Sequence, residues 1–336
     1  MIRRRILTAV VVVVMAVGTV VSLGFSGKAY AAQTSVVGGD ALKISPVRMD
    51  IVMDPGTTKV VEVFITNLTS VPATLHPAIN DFVASGDETG KPNIMLDENQ
   101  FAPTHSFKQF VSPLANINLK GGEQRTVAVA VNIPKTAAGG GYYGAIRFAP
   151  ANTNEAGGQK NLNLSASVGT IVLLKVNGEI KESVNLASLD VRKNNVPGSF
   201  FTKKDGLQAV ARFQNIGNVQ VEPFGKIVVK RFGKQVAQIE INNTDPRGSV
   251  LPDSIRRFQT PLANLSSFGK YTMEANFGYG TQGQLITAKR TFYIIPLSLI
   301  LTGVGILLAL IVLIFVLPRM IRSYNRRIIR KASRRR

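Results

Sequence analysis

Apolar and polar residues alternate along most of the middle of the chain. In residues 125–133 the valines and Ile133 occupy every second position, and residues 207–213 and 271–279 show the same period. Successive side chains of a β-strand point to opposite faces, so this period predicts strands with one buried face. Gly, Pro and Asn interrupt the pattern at short intervals, as turns do. The pattern predicts an all-β fold, a β-sandwich or barrel.

The strand pattern occurs twice along the chain. Residues 61–67 end in an Asn-containing turn before a strand from Pro72, and residues 210–215 are followed by a Gly-Asn turn and a strand from Val219. We therefore expect two domains of one kind, at 41–178 and 179–294. In each of them a Tyr begins a late strand after a Gly-containing turn.

These tyrosines are candidates for the tyrosine corner, in which the hydroxyl bonds back to the preceding turn of a sandwich. Tyr143 and Tyr271 are the predicted pair, with Tyr142 as the alternative if the strand register differs by one residue.

Two segments do not fit the strand pattern. Residues 83–110, with a polar loop at 85–90, are too long for a hairpin loop, and loops of this length often carry function. Residues 151–160 are rich in Gly and Asn. They predict a long loop before the last strand of the first domain, with a true linker as the alternative.

The start of the chain has the three parts of a secretory signal. Residues 3–5 are Arg, residues 6–25 are apolar, and residues 29–31 fit the small-x-small cleavage rule. We expect a signal peptide at 1–32, cleaved after Ala31 or one residue later. An uncleaved anchor is the alternative, because the apolar run is long.

Residues 297–317 form an uncharged apolar stretch near the other end. At about 1.5 Å per residue a helix of this length spans roughly 30 Å, the hydrocarbon thickness of a bilayer. The basic segment 318–336 follows at once and is predicted to be cytoplasmic, with residues 33–290 outside the cell membrane. Residues 293–296 lack the sortase motif, so we expect the anchor to be retained, and a buried core helix is the alternative.

The charge of the chain is concentrated at its ends. The formal net charge is +20, but 13 of the 40 Lys and Arg residues and none of the 20 acidic residues lie in residues 1–33 and 318–336. This distribution fits membrane topology and argues against a nucleic-acid-binding protein. The chain has no Cys, which excludes disulfides, thiol catalysis and Cys-ligated metals, and no Trp.

Motifs for chemistry are weak, and we expect no cofactor, no metal, no catalytic residue and no enzyme activity. Residues 278–283 spell G-x-G-x-x-G, but a strand follows where a dinucleotide site needs a helix. Residues 139–141 are three glycines without the Lys of a phosphate loop. His76 and His105 are isolated. The acidic residues around the irregular stretch are expected to be solvated loop carboxylates, with a Ca²⁺ site as the alternative; they are Asp81, Asp87, Glu88, Asp97 and Glu98.

Several stretches resemble the bacterial WxL-interacting protein family. They are residues 44–46 and 54–56, residues 213–218 and 223–225, and residues 251–258. The resemblance covers essentially the whole chain and implies two immunoglobulin-like sandwiches followed by one transmembrane helix. It also implies that the first module contacts peptidoglycan and the second engages surface proteins. The first module is similar to pilus-chaperone domains as well. No binding residues carry over.

Three functions remain open from the sequence. The first is a non-catalytic surface protein that docks peptidoglycan or other envelope proteins. The second is a membrane-tethered chaperone or assembly factor that acts by β-strand addition. The third is a passive spacer that lifts another part away from the membrane. The ligand, its binding residues and the oligomeric state are not predicted.

Overall fold

The computed structural model describes residues 41–151 and 167–322. The signal peptide expected at 1–32, nearly all of the loop expected at 151–160 and the basic tail beyond residue 322 lie outside the described residues. Strands dominate the described part and one apolar helix ends it. The predicted all-β fold with immunoglobulin-like sandwiches and a C-terminal apolar helix is confirmed.

The first half forms a β-sandwich, here named sandwich 1, which also contains a short 3-10 turn (Lys108–Phe110). Its strands are β1 (Leu42–Ser45), β2 (Arg48–Met53), β3 (Thr58–Asn67), β4 (Ala73–Ala84), β5 (Pro92–Ile94), β6 (Ile117–Leu119), β7 (Gln124–Asn132), β8 (Gly140–Pro150) and β9 (Val168–Val176).

The strands of sandwich 1 form two sheets. One has the order β1-β3-β7, and the other has the order β2-β9-β8-β4-β5, with β6 also paired to β4. Apolar residues at alternate positions fill the space between the sheets. Val63 and Ile65 on β3 and Val129 and Val131 on β7 are fully buried. The alternation predicted for residues 125–133 is therefore confirmed.

The second half forms sandwich 2. Its strands are β10 (Val184–Lys193), β11 (Val196–Gly198), β12 (Phe200–Phe201), β13 (Leu207–Asn215), β14 (Phe224–Arg231), β15 (Lys234–Ile241), β16 (Ile255–Pro261), β17 (Gly269–Tyr279) and β18 (Gln284–Ile294). The sheet orders are β11-β10-β13-β16 and β12-β18-β17-β14-β15.

The two sandwiches share one topology. The order β1-β3-β7 corresponds to β10-β13-β16, and β2-β9-β8-β4 corresponds to β12-β18-β17-β14. In both, a short strand pairs in parallel with the last strand, as β2 does with β9 and β12 with β18. By this correspondence β7 is the equivalent of β16.

A buried asparagine occupies the same place in each repeat. The Asn67 side chain donates to the carbonyl four residues later (2.8 Å) and to that of Lys120 (3.2 Å). The Asn215 side chain donates to the carbonyl four residues later and to that of Val250, both at 2.8 Å. Because buried polar groups need partners, each Asn fixes the turn after its strand.

The tyrosine corner predicted at Tyr271 is confirmed. Its hydroxyl accepts from the backbone N–H of Ser266 and donates to the carbonyl of the same residue, both at 2.9 Å. Tyr271 is fully buried and lies two residues after Gly269, whose φ is +152°. A side chain at that φ would be strained, so the glycine is required where the turn enters the strand.

The corner predicted at Tyr143 is wrong. The equivalent glycine in sandwich 1 is Gly140, with φ of +154°, and the tyrosine two residues later is Tyr142. Its hydroxyl donates to the carbonyl of Ala138 at 2.8 Å. Tyr143 faces the other side of the sheet, and its hydroxyl donates to Gln220 of sandwich 2 at 2.9 Å. The one-residue difference in register therefore moves this tyrosine from the core to the contact between sandwiches.

Each sandwich has its own hydrophobic cluster. One cluster runs from Leu42 to Val176 and the other from Val184 to Ile294. The domain bounds 41–178 and 179–294 stay a prediction. Residues 278–283 form the turn between the antiparallel strands β17 and β18, as expected for a glycine-rich hairpin.

The apolar helix follows sandwich 2 directly. It begins as α1 (Leu297–Ile311), continues through a π-helical turn (Val312–Val316) and ends at Arg322 in the described residues. The 26 residues span about 39 Å at 1.5 Å per residue. The helix is long enough and apolar enough to cross a membrane.

Candidate functional site

The two histidines lie apart from each other and make separate contacts. The Nδ1 atom of His76 lies 2.9 Å from the Asn116 side chain, and its Nε2 atom lies 3.3 Å from Glu98. Both hydrogen bonds raise the pKa of His76, and the one to Asn116 contributes most. The Nδ1 atom of His105 lies 2.6 Å from the carbonyl oxygen of Gly141. Neither arrangement resembles a metal site.

The acidic residues around the irregular stretch bond to neighbouring protein groups. Asp81 is fully buried, and its two oxygens accept from the backbone N–H groups of Ala102 (2.9 Å) and Lys108 (2.8 Å). Asp87 and Asp97 each accept from the N–H two residues later, which closes their own turns. Within residues 41–151 and 167–322 no group of three His, Asp or Glu side chains could hold a metal ion.

The loop at 85–90 contacts sandwich 2. The Glu88 carboxylate makes a two-pronged ion pair with Arg212, and the Glu88 carbonyl accepts from the backbone N–H of Arg257 at 2.8 Å. Gly90 has a φ of +78°, which favours glycine, and the Arg256 side chain packs closely against it. This part of the irregular stretch joins the two sandwiches.

Asn218 of sandwich 2 makes a second contact in the joint. Its side chain donates to the carbonyls of Gly139 (3.2 Å) and Glu179 (2.7 Å) and accepts from the N–H of Lys181 (2.7 Å). Its own carbonyl accepts from the N–H of Gly141 at 2.8 Å. One turn of sandwich 2 is thereby tied to both sandwich 1 and the connecting segment.

A cavity of about 160 Å³ lies at this joint. Phe82, Ile171, Leu173 and Leu251 form much of its apolar wall. The adjacent cation Arg48 is already neutralised, because it bonds both oxygens of Asp50 at 2.8 Å and lies 3.0 Å from Glu222. Arg256 also lines the cavity and donates from Nη1 to the carbonyl of Ser249 at 2.8 Å.

The edge strand β7 of sandwich 1 has no comparable contact along much of its outer side in the described residues. Strand β7 lies at the edge of the sheet β1-β3-β7 and is nine residues long. It pairs with β3 over its whole length without a bulge. It has no proline and a single charged residue, Arg125. Edge strands are usually shortened, charged, kinked or covered, because their unpaired backbone groups attract other strands.

The pairing with β3 determines which backbone groups of β7 are unpaired. At its two ends the ladder is closed by bonds from the N–H of Asn67 to the carbonyl of Glu123 and from the N–H of Ile133 to the carbonyl of Thr57, both 2.9 Å. In an antiparallel ladder every second residue bonds the partner strand. The intervening residues direct their N–H and C=O groups outward. Ala130 and Asn132 flank the isolated bridge of Val131 to Val111, so that end of the edge is occupied. The outward groups of Gln124, Thr126 and Ala128 form what we name the free edge.

The sheet surface next to the free edge is partly apolar. Val60 on β3 is 57% exposed and Phe64 is 37% exposed. They lie across from Ala130 and Thr126 of β7, and Ala128 and Ala130 are exposed as well. The small side chains on β7 leave room for larger ones from a neighbouring strand.

The inner side of the free edge is bordered by the segment 111–119. It begins at an isolated bridge between Val111 and Val131 and ends with β6 on the opposite sheet. Val111, Leu114 and Ile117 pack against the core but are only partly buried. The margin of the sandwich beside β7 therefore offers apolar surface on both faces.

The equivalent edge of sandwich 2 is protected. Strand β16 carries Arg256 and Arg257 and ends at Pro261. The outward N–H of Arg257 is bonded to the carbonyl of Glu88 in the loop from sandwich 1. In the described residues, the two sandwiches share one topology, but this edge is bonded and charged in sandwich 2 and largely unbonded in sandwich 1.

The other described edges are short or carry charge. β5 has three residues and begins with Pro92, and β2 carries Arg48 and Asp50. β15 has a charged residue near each end, Lys234 and Glu240, and pairs with β14 across a bulge. Among edge strands in the described chain, β7 is the longest and the least protected.

Sequence reasoning did not identify this site. It predicted the strand at 125–133 from its alternation, but alternation reports burial of one face and not the position of a strand in its sheet. A signal was nevertheless present. By register, the second repeat has Arg256, Arg257 and Pro261 where the first has Arg125, Thr126 and Ala130.

No protein-family model and no curated protein matches the chain. The resemblance to the WxL-interacting family therefore stays a prediction. Solved structures with similar shape include the class 5 fimbriae chaperone CfaA, with 12% identity, 76% of this chain and 100% of that chain covered and a TM-score of 0.37. The CupB2 chaperone of Pseudomonas aeruginosa has 12% identity, 74% and 99% coverage and a TM-score of 0.32.

A third such structure is the CsuC–CsuE chaperone–tip adhesion subunit complex of Acinetobacter baumannii. It has 12% identity, 73% and 97% coverage and a TM-score of 0.36. Likenesses this weak carry no function from those proteins to this chain.

Proposed function

We propose that the chain is a non-catalytic, membrane-anchored protein that binds another protein of the cell envelope by adding a strand of that protein to the free edge of β7. The single observation that carries the proposal is the contrast between β7 and β16. Within residues 41–151 and 167–322, this edge is bonded in sandwich 2 and is left open along residues 124–128 in sandwich 1. In natural proteins an open edge of this length is a liability unless it has a partner.

The site defines the kind of segment that fits. It must be extended, free of proline at the bonding positions, and about five to seven residues long to follow the free edge. Alternate side chains would cover Val60 and Phe64 on the outer face and Leu114 and Ile117 at the inner margin. Backbone bonds contribute about 0.5–1.5 kcal/mol each. Apolar contacts on both faces supply further affinity and the choice of partner.

The anchoring part of the proposal depends on the helix. Its 26 residues are followed in the sequence by a cluster of basic residues. A basic flank favours the cytoplasmic side. Both sandwiches then lie on the outer side, where an envelope protein can reach β7.

Peptidoglycan is the other ligand class that the sequence suggested. No specific group of described residues favours it, whereas the free edge favours a polypeptide. We keep it as an outcome of the test.

The test compares two matched proline substitutions in the full chain. Ala128→Pro removes an outward N–H of β7, and Gln259→Pro removes an outward N–H of β16. Neither N–H bonds the neighbouring strand, so both ladders stay intact. A photo-reactive benzoyl-phenylalanine at Thr126 reports what lies beside the free edge in intact cells.

We expect a cross-link to one envelope protein that disappears with Ala128→Pro and persists with Gln259→Pro. Thermal unfolding checks that both variants are folded. A cross-link that survives Ala128→Pro in a folded protein contradicts strand addition. Cross-links to glycan alone contradict it in favour of peptidoglycan.

A further inference from the structure

We infer that the end of sandwich 2 next to the helix lies directly on an anionic membrane surface, with exposed phenylalanines in the head-group layer and lysines beside lipid phosphates. The inference rests on the proposed membrane anchoring, and it is independent of the partner at β7.

The connection between sandwich 2 and the helix is very short. The N–H of Ile295 still donates to the carbonyl of Phe201 in the sheet at 2.8 Å. The carbonyl of the next residue, Pro296, already accepts from the N–H of Leu299 in the helix at 3.0 Å. No free spacer separates the two elements.

This length limits how far the sandwich can stand from the bilayer. The three steps from Ile294 to Leu297 span at most about 11 Å at 3.8 Å each. The head-group layer on each side of the hydrocarbon is roughly 5–7 Å thick. The lower end of sandwich 2 therefore reaches the lipid head groups when the apolar helix spans the hydrocarbon.

Strand register shows which loops are at this end. Ile294 at the end of β18 pairs with Gly269 at the start of β17, and Arg231 at the end of β14 pairs with Tyr271. The short strand β12 pairs beside the end of β18. The loops at the helix end are consequently residues 194–195, 202–206, 232–233 and 262–268.

The side chains at this end suit a membrane surface. We name the following residues the helix-proximal rim: Phe200, Phe232, Phe268, Lys203, Lys204 and Lys234. The three phenylalanines are 70%, 65% and 45% exposed, respectively. The lysines are exposed too. The four loops contain a single acidic residue, Asp205.

Single exposed apolar residues are ordinary on a protein surface. Three phenylalanines at the one end where an apolar helix leaves the domain form a concentration that needs an apolar contact. Phe200 is also held in place, because it stacks on Tyr293 with ring centroids 5.0 Å apart and planes 11° apart. Aromatic side chains favour the interfacial layer, and lysines at this depth attract anionic lipids.

Since the chain has no Trp, a single introduced Trp is a unique fluorescent reporter. The test uses the full chain in vesicles of phosphatidylcholine and phosphatidylglycerol whose acyl chains are brominated to quench Trp. Phe232→Trp places the reporter on the helix-proximal rim. Leu285→Trp is the control, because Leu285 is 76% exposed and lies at the opposite end of β18.

We expect a several-fold greater loss of fluorescence for Phe232→Trp than for Leu285→Trp. Changing Lys203, Lys204 and Lys234 to Glu in the Phe232→Trp chain should reduce the quenching, as should replacing phosphatidylglycerol with phosphatidylcholine. Equal, weak quenching at both positions would overturn the inference and leave the rim open to a protein partner.

Flotation of the vesicles distinguishes a failure of membrane anchoring from a failure of the rim to lie on the lipid surface. A chain that floats with the vesicles but shows no quenching at Phe232→Trp is anchored without lying on the surface, so only this inference fails. A chain that does not float contradicts the anchoring and this inference together.

Discussion

The backbone N–H of Arg257 donates to the backbone carbonyl of Glu88 at 2.8 Å, and this bond covers in sandwich 2 the edge that sandwich 1 leaves open. The backbone N–H of Arg257 points outward from β16, as that of Thr126 does at the equivalent position of β7. One position has a partner within the chain, and the other has none in the described residues. This difference is what makes β7, and not β16, available to a strand of another protein.

The ion pair beside this bond predicts a pH dependence of stability. Hydrogen bonding to Arg212 lowers the pKa of Glu88 below its ordinary value. A carboxyl with a lowered pKa stabilises the fold fully above its unfolded pKa, about 4.3, and loses that contribution as the pH falls through the lower folded value. We expect Glu88→Gln to be less stable than the parent at neutral pH, with a difference that shrinks below about pH 4.

Urea unfolding midpoints of parent and variant across this pH range measure the difference. Glu62→Gln, on the exposed face of β3, serves as the control. A Glu88→Gln deficit that stays constant down to the lowest pH would show that the carboxylate charge is not what stabilises the joint.

Removing the hydroxyl of Tyr271, Tyr142 or Tyr143 should have a different effect in each case, because each hydroxyl has a different partner. Tyr271→Phe keeps the packed ring but leaves the backbone N–H and C=O of Ser266 without their partner. The free energy of unfolding should fall by about 1–3 kcal/mol. Tyr142→Phe should cost less, because Tyr142 is only partly buried. Tyr143→Phe removes the bond to Gln220 and should weaken the joint between the sandwiches.

Denaturant midpoints measure the first two effects, and protease susceptibility of the connecting segment measures the third. An unchanged midpoint in Tyr271→Phe would refute its role as a corner.

The sequence predicted the period of the strands, the repeat and the apolar helix, because these follow from which residues are buried. It placed the tyrosine corner of sandwich 1 one residue too late. Both Tyr142 and Tyr143 fit an alternating strand, and only the position of Gly140 relative to the turn separates them. The free edge of β7 could not be predicted in the same way, since strand order depends on contacts between residues far apart in the chain.

Membrane topology gives another prediction. Because basic residues follow the helix and none of the acidic ones do, we expect the segment after the helix to be cytoplasmic. Protease added to intact cells should remove the two sandwiches and spare a tag placed after Arg336. A tag degraded under the same conditions would contradict this orientation.

The fold should also be independent of metal ions. Within the described ranges the carboxylates of the irregular stretch are used by turns, by backbone N–H groups and by Arg212. We expect the melting temperature of the full chain in detergent to be the same with and without a chelator. A fall of several degrees on chelation would reinstate the Ca²⁺ site.

The most direct test of the central claim is residue-resolved hydrogen exchange along β7 in the full chain, alone and with the protein that cross-links at Thr126. In the chain alone, the outward amides of Gln124, Thr126 and Ala128 should exchange fast, and those of Val127 and Val129 slowly. With the partner, the outward amides should become slow as well. Outward amides that are protected in the chain alone, or that stay fast in the complex, would contradict strand addition at the free edge.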